Sequence, residues 1–122
     1  MLNNNKCVLI YKAPEDVIDD LLASGYKIIN ISDEMVDMTI SDIIDGLKFE
    51  TVSANLPKDA VILFNNFSDE EVRLNIKSIR QFYKEGIFAV VTPTSMEWKF
   101  SYLIEHLIEE REWYLKNQKG RA

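Results

Sequence analysis

The chain has 122 residues, of which 47% are apolar, and carries a formal net charge of −6. That length and apolar fraction suit one domain, residues 1–122, with a single packed core, and they argue against disorder. The acidic balance disfavours nucleic acid and anionic lipid surfaces as partners. The longest apolar runs, Cys7 to Tyr11, Ala60 to Phe64 and Ile87 to Val91, are five residues each, against the roughly 20 that a membrane-crossing helix requires. The N-terminus lacks a secretory-type apolar segment, and the single Cys7 has no internal disulfide partner, so the expected location is the cytoplasm.

Each apolar run is followed by a turn signal and then by residues with helical periodicity, the alternation expected of strands joined by crossover helices. The first strand is expected over Cys7 to Lys12. A helix follows from Pro14, with Glu15 and Asp16 at the positive end of its dipole and Val17, Ile18, Leu21 and Leu22 as its buried stripe. Gly25 ends it and releases the chain into a second strand, Lys27 to Ile31. Ile40, Ile43, Ile44 and Leu47 follow the i, i+3, i+4, i+7 template of a short second helix, with Gly46 near its end. Lys48 to Asp59, with Asn55 and Pro57, reads as a long loop.

The third strand, Ala60 to Phe64, leads into Ser68-Asp69-Glu70-Glu71, a capping-box pattern with Ser68 as N-cap, Glu71 at the third helical position, and Phe67 and Val72 placed to form a hydrophobic staple. That helix is expected to run to Glu85, burying Val72, Ile76, Ile79 and Tyr83, and to stop at Gly86. After a fourth strand, Ile87 to Val91, Thr94 and Glu97 repeat the capping-box spacing. They predict a last helix reaching about Leu115, with Phe100, Leu103, Ile104, Leu107 and Ile108 inward. No internal repeat of solenoid length stands out. Residues 1–5 and 117–122 read as frayed ends.

The fold expected from this pattern is a three-layer, doubly wound, flavodoxin-like α/β domain: a four-stranded parallel sheet in the order 2-1-3-4 with four helices. In it, helices one and four cover one face and helices two and three the other. Ligands of such sheets bind beyond the strand C-termini at the switch point, and in the expected topology that edge gathers Lys12, Asn65, Asn66, Thr92 and Ser95 as candidate ligand-binding residues. The first strand-to-helix turn, Tyr11-Lys12-Ala13-Pro14-Glu15, has no glycine, which argues against a nucleotide cradle and against any cofactor of that kind. The end of strand three reads Asn65-Asn66 instead of supplying an acceptor aspartate, which argues against a phosphorelay receiver.

Catalytic and metal signals are thin. His106 and Glu110 stand at i, i+4, a spacing that can hold a metal, but two ligands do not make a site, and Glu105, Glu109, Glu110 and Glu112 read as a solvated helix face. Cys7 reads as a small core residue. No catalytic residue and no metal ligand is assigned, and no enzyme activity is expected. Trp98, Trp113, Tyr114 and Phe49 exceed what a four-stranded core needs. They point to an interaction or regulatory module whose partner is a protein or a second copy of the chain, with Trp113, Tyr114 and Leu115 overhanging the sheet as the candidate interface. A small-molecule binder or an enzyme acting at the strand C-terminal edge is the alternative.

The run Ile62-Leu63-Phe64-Asn65-Asn66-Phe67-Ser68-Asp69-Glu70-Glu71, followed by Ala89-Val90-Val91-Thr92-Pro93-Thr94-Ser95 and Trp98, resembles a bacterial family known as domain of unknown function 3783. The resemblance covers about residues 60 to 112. Position 95 is Ser where the family most often has Asn, and position 66 is Asn where Gly is frequent. The resemblance supports an α/β fold and implies no particular activity.

Overall fold

The computed structural model describes residues 6–47 and 58–119, with side chains described as far as Trp113. Most of the expected Lys48 to Asp59 loop and Phe49 lie outside the described residues, as do residues 1–5 and the side chains of Tyr114 and Leu115. The elements in chain order are β1 (Cys7–Tyr11), α1 (Glu15–Ala23), β2 (Ile28–Asn30), a 3-10 turn at Asp33–Met35, α2 (Ile40–Ile44), β3 (Val61–Asn65), α3 (Asp69–Arg80), β4 (Ile87–Val90), a 3-10 turn at Ser95–Glu97, and α4 (Phe100–Lys119). Asn117 to Lys119, expected to fray, continue α4.

The strands lie in the linear order β2-β1-β3-β4, but a fully parallel, flavodoxin-like sheet is overturned by its central pair. β1 runs parallel to β2, and β3 parallel to β4, while β1 and β3 are antiparallel. The sheet is mixed. Each βαβ unit still needs a right-handed crossover, and reversing one unit against the other brings both crossover helices to the same face. Accordingly α1 and α3 cover one face, with Val17, Leu21 and Ile79 packed on Val8, Ile10, Ile62 and Phe64. The other face carries α2 and α4, with Ile40, Ile43, Phe100 and Ile104 packed on Cys7, Leu9, Val61 and Leu63. The expected pairing of helix one with helix four is thereby corrected.

The two halves are related by an approximate two-fold axis through the Leu9/Leu63 pair, about which the register is symmetric: Cys7 faces Asn65 and Tyr11 faces Val61. The relation extends well beyond the strands. Ile31 N–H donates to the Ile10 carbonyl at 2.7 Å, and Val91 N–H to the Phe64 carbonyl at 2.9 Å. The axis passes again between Thr39 and Lys99, which form an antiparallel bridge. Around it Ile40 N–H donates to the Trp98 carbonyl and Phe100 N–H to the Met38 carbonyl, each at 2.9 Å. Lys12 and Asn66, the residues after β1 and β3, share the left-handed region at φ 55° and 64°, and Gly25 and Gly86, before β2 and β4, share φ 85° and 88°.

Local chemistry explains most element boundaries. The Ser68 capping box forms in full, the Ser68 hydroxyl accepting from Glu71 N–H at 3.1 Å and the Glu71 carboxylate from Ser68 N–H at 3.1 Å. Glu71 also pairs with Lys6, and this contact with the cap holds its carboxyl below the usual range. α3 stops at Arg80, short of the expected Glu85. The Arg80 guanidinium donates to the carbonyls of Glu85 and Gly86 at 2.7 and 3.1 Å, holding the chain in the turn that leads to β4. In α1 the stripe is narrower than expected, with Val17 and Leu21 buried and Leu22 53% exposed. In the second helix Leu47 falls beyond Ile44 and is exposed.

The Thr94 cap expected for the last helix does not form; no side-chain hydrogen bond caps the turn there. The box closes two residues earlier. Thr92 N–H donates to the Ser95 hydroxyl at 2.9 Å and Ser95 N–H to the Thr92 hydroxyl at 3.0 Å. Trp98 is then extended so that Lys99 can pair with Thr39, and α4 begins at Phe100.

Candidate ligand-binding site

Because β1 and β3 are antiparallel, their C-terminal ends lie at opposite edges of the sheet, and the edge expected to gather five residues is divided. Lys12 follows Tyr11, which faces Val61 at the start of β3, whereas Asn65 faces Cys7 at the start of β1. Lys12 is therefore separated from the other four and lies with its ammonium 5.2 Å from the Tyr11 ring centre. Asn65, Asn66 and Thr92 do converge, on a cavity of about 440 Å³ also lined by Ser41, Val91, Pro93, Met96 and Glu97. Ser95 is 4% exposed and is held by the reciprocal bonds with Thr92, so its role here is to shape the loop.

Asn65 is the floor of this cavity. It is 2% exposed, and its amide nitrogen lies 3.9 Å from the Cys7 sulfur. Asn66, Thr92, Pro93 and Glu97 are exposed around it, and Val91 and Met96 are partly buried walls. Of the candidate residues in the sequence, Asn65, Asn66 and Thr92 line this cavity, and Ser41, Met96 and Glu97 line it without a local sequence signal of their own. Ser41 arrives from the other half of the molecule, and the signal that could have placed it is self-similarity: residues 31–44 repeat at 91–104 with a constant offset, pairing Ile31 with Val91, Ser41 with Ser101 and Ile44 with Ile104.

In the first half the equivalent position to Asn65 is Tyr11. Its phenol is 1% exposed, meets Phe100 edge-on with ring centres 5.3 Å apart, and donates to the Asp33 carboxylate at 2.8 Å. Burial, then the hydrogen bond and charge of Asp33, push the phenol up to about 12. Nearby, the Ser101 hydroxyl donates to the Asp37 carboxylate at 3.2 Å.

The residues of classical nucleophilic chemistry are placed elsewhere. Burial raises the Cys7 thiol above its ordinary value despite the opposing influence of Asn65 and Lys27, which suppresses the thiolate that a nucleophile needs. His106 faces Glu110 at 3.0 Å and packs edge-on against Trp98. Among the described residues no group of three or more His, Cys, Asp or Glu could hold a metal, and no helix is long and apolar enough to cross a membrane.

Comparison with known proteins falls on one half of the pseudo-symmetric pair. Residues 60–114 match the family model of a domain of unknown function, DUF3783. The matched segment starts at the edge of β3 and ends within α4, so it contains β3, α3, β4 and most of α4, together with every residue lining the cavity except Ser41. The chain matches no curated protein and no solved structure.

Proposed function

We propose that the chain acts as a single-domain, non-catalytic interaction module of the cytosol that pairs with a second copy of itself along the β4 edge. The observation that carries this reading is a groove of about 760 Å³ running along β4 between α3 and α4, floored by Ile87 and Phe88 and walled by Ile76 and Leu107, with Trp113 at its rim. α3 and α4 cover opposite faces of the sheet, so a groove touching both lies along the open edge of the outer strand. That strand contains no charge and no proline, the usual devices that keep a sheet edge from pairing. Trp113 is 67% exposed, and an exposed tryptophan beside an apolar groove is characteristic of an interface anchor.

A second copy fits this edge better than a foreign surface for two reasons. A two-fold contact needs only one self-complementary patch. The rim also carries Glu110 and Arg111 side by side, so each can face its opposite across the axis. Tyr114 and Leu115 continue the same helix and are included in the proposed interface. The cytosolic setting accords with a lone free thiol at Cys7.

Light scattering on the purified chain at tens of micromolar tests this. The expected mass is twice 14.2 kDa, and Val90→Lys, which places a charge on an exposed position of the edge strand, is expected to return it to a single chain. A monomeric wild-type protein at that concentration would refute self-pairing.

A further inference from the structure

We propose that the cavity at the C-terminal end of β3 is a binding site for a small aromatic molecule carrying a hydroxyl or amino group. The argument rests on the broken symmetry of the two halves. In the first half the place equivalent to this cavity is filled from within: the Tyr11 ring packs against Phe100 and its hydroxyl is clasped by Asp33, while Ile31 and Val36 beside it are 2% and 0% exposed. In the second half each of these parts is exchanged for one that leaves room. Asn65 stands for Tyr11, Pro93 for Asp33 and Ile40 for Phe100, and Val91 and Met96, the counterparts of Ile31 and Val36, are left partly exposed.

What remains is a cavity of about 440 Å³, within the range of small-ligand pockets, where one copy of the fold carries a phenol of its own. The lining fits a replacement for that phenol. Pro93, Val91 and Met96 supply apolar walls, and a thioether beside a ring is favourable. Asn65 and Ser41 add polar side chains to the lining. Glu97 is the one charged residue among those lining the cavity, so a bound anion is repelled and a hydroxyl or ammonium donor is favoured.

Phenol, tyramine and benzoate, added separately to the full chain, serve as probes, read by isothermal titration and by amide shifts in a nitrogen-15 spectrum. Phenol and tyramine are expected to shift Asn65, Asn66, Thr92 and Met96 and to leave Lys12 and Asp33 unmoved. Tyramine is expected to bind about tenfold more tightly than phenol, its ammonium reaching Glu97, and benzoate not to bind. Asn65→Tyr supplies the plug of the first half and should abolish binding of both. Glu97→Gln, a change at an exposed rim residue, keeps the fold and should remove the preference for tyramine, so the proposal is decided even if Asn65→Tyr does not fold. Equal binding of benzoate, shifts confined to other residues, no shift with any probe, or an undiminished preference for tyramine in Glu97→Gln would each overturn it.

Discussion

The two halves of this molecule share one plan and use it differently. Residues 7–44 are the closed copy: Tyr11 is clasped by Asp33, Ile31 and Val36 are buried, and α2 ends at Ile44 with Gly46 following at φ 82°. Residues 61–104 are the open copy, and where the first half has Gly46 the second has His106, so α4 runs on to Lys119. A glycine in the left-handed conformation stops one helix, and its absence lets the other extend past the sheet. The closed half has a surface cavity of its own, about 480 Å³ beside β2 and α2 and lined by Ile29, Met35, Ile43 and Leu47, but the end of β1 is filled by Tyr11. The open half carries the β4 groove, the exposed Trp113 and the cavity, and it is this half that the DUF3783 match covers.

The comparison can be broken at its axis. Leu9 and Leu63 are both fully buried and face each other where the halves meet, so Leu63→Ala is expected to cost about 2–5 kcal/mol of stability. The loss should appear in urea as one cooperative transition at a lower midpoint. Two separate transitions would show that the halves fold independently and that the axis does not couple them.

A smaller change removes the clasp that distinguishes the closed half. Tyr11→Phe deletes the hydroxyl that donates to Asp33 while keeping the ring on Phe100, and should cost about 1–3 kcal/mol, as expected for a hydrogen bond to a charged partner. It also has a pH signature. The folded phenol is raised from 10 to about 12, so the folded state holds this proton more tightly than the unfolded chain. The associated stability is fully present below pH 10 and is lost as pH rises toward 12. Urea titrations across that window should show this loss in wild type and a smaller one in Tyr11→Phe, where the Tyr83 phenol, also raised by burial, still contributes.

The smallest expected effect sharpens the likeness between the halves. Lys12 and Asn66 hold the same left-handed conformation, which asparagine tolerates better than lysine does. Lys12→Gly is therefore expected to stabilise by up to about 1 kcal/mol and Asn66→Gly by less, read as the difference in denaturation midpoint. An equal gain at both positions would mean that local strain does not distinguish them.

Much of this architecture is legible in residues 7–119, because strands, helices and the Ser68 cap are written in local patterns. The direction of β3 against β1 is not. Both strands are buried along their whole length, and a run such as Val61 to Asn65 reads the same whichever way it enters the sheet. The direction depends on the connection after α2, where no periodicity guides the reading. That one ambiguity placed Lys12 beside Asn65 and helix one beside helix four. The Thr94 cap differs for another reason: Thr92 offers the same hydroxyl two residues earlier, and Trp98 is extended where Lys99 bridges to Thr39, so α4 begins only at Phe100. The cavity was visible in part, since Asn65, Asn66 and Thr92 are neighbours by topology, whereas Ser41 reaches it only through the pseudo-symmetric bridge.

The antiparallel pairing of β1 with β3 also orders events during synthesis. β1 is complete by Tyr11, but the strand that covers one of its edges ends at Asn65. At the usual translation rate of about 5–20 residues per second the ribosome needs several seconds to bridge that interval. Throughout it, five side chains destined for full burial and one row of backbone amides lack their partner. Closing so distant a contact is slow in entropic terms as well. The nascent first half is thus the stretch of this chain most in need of chaperone cover, and β3 is the segment whose arrival ends that need.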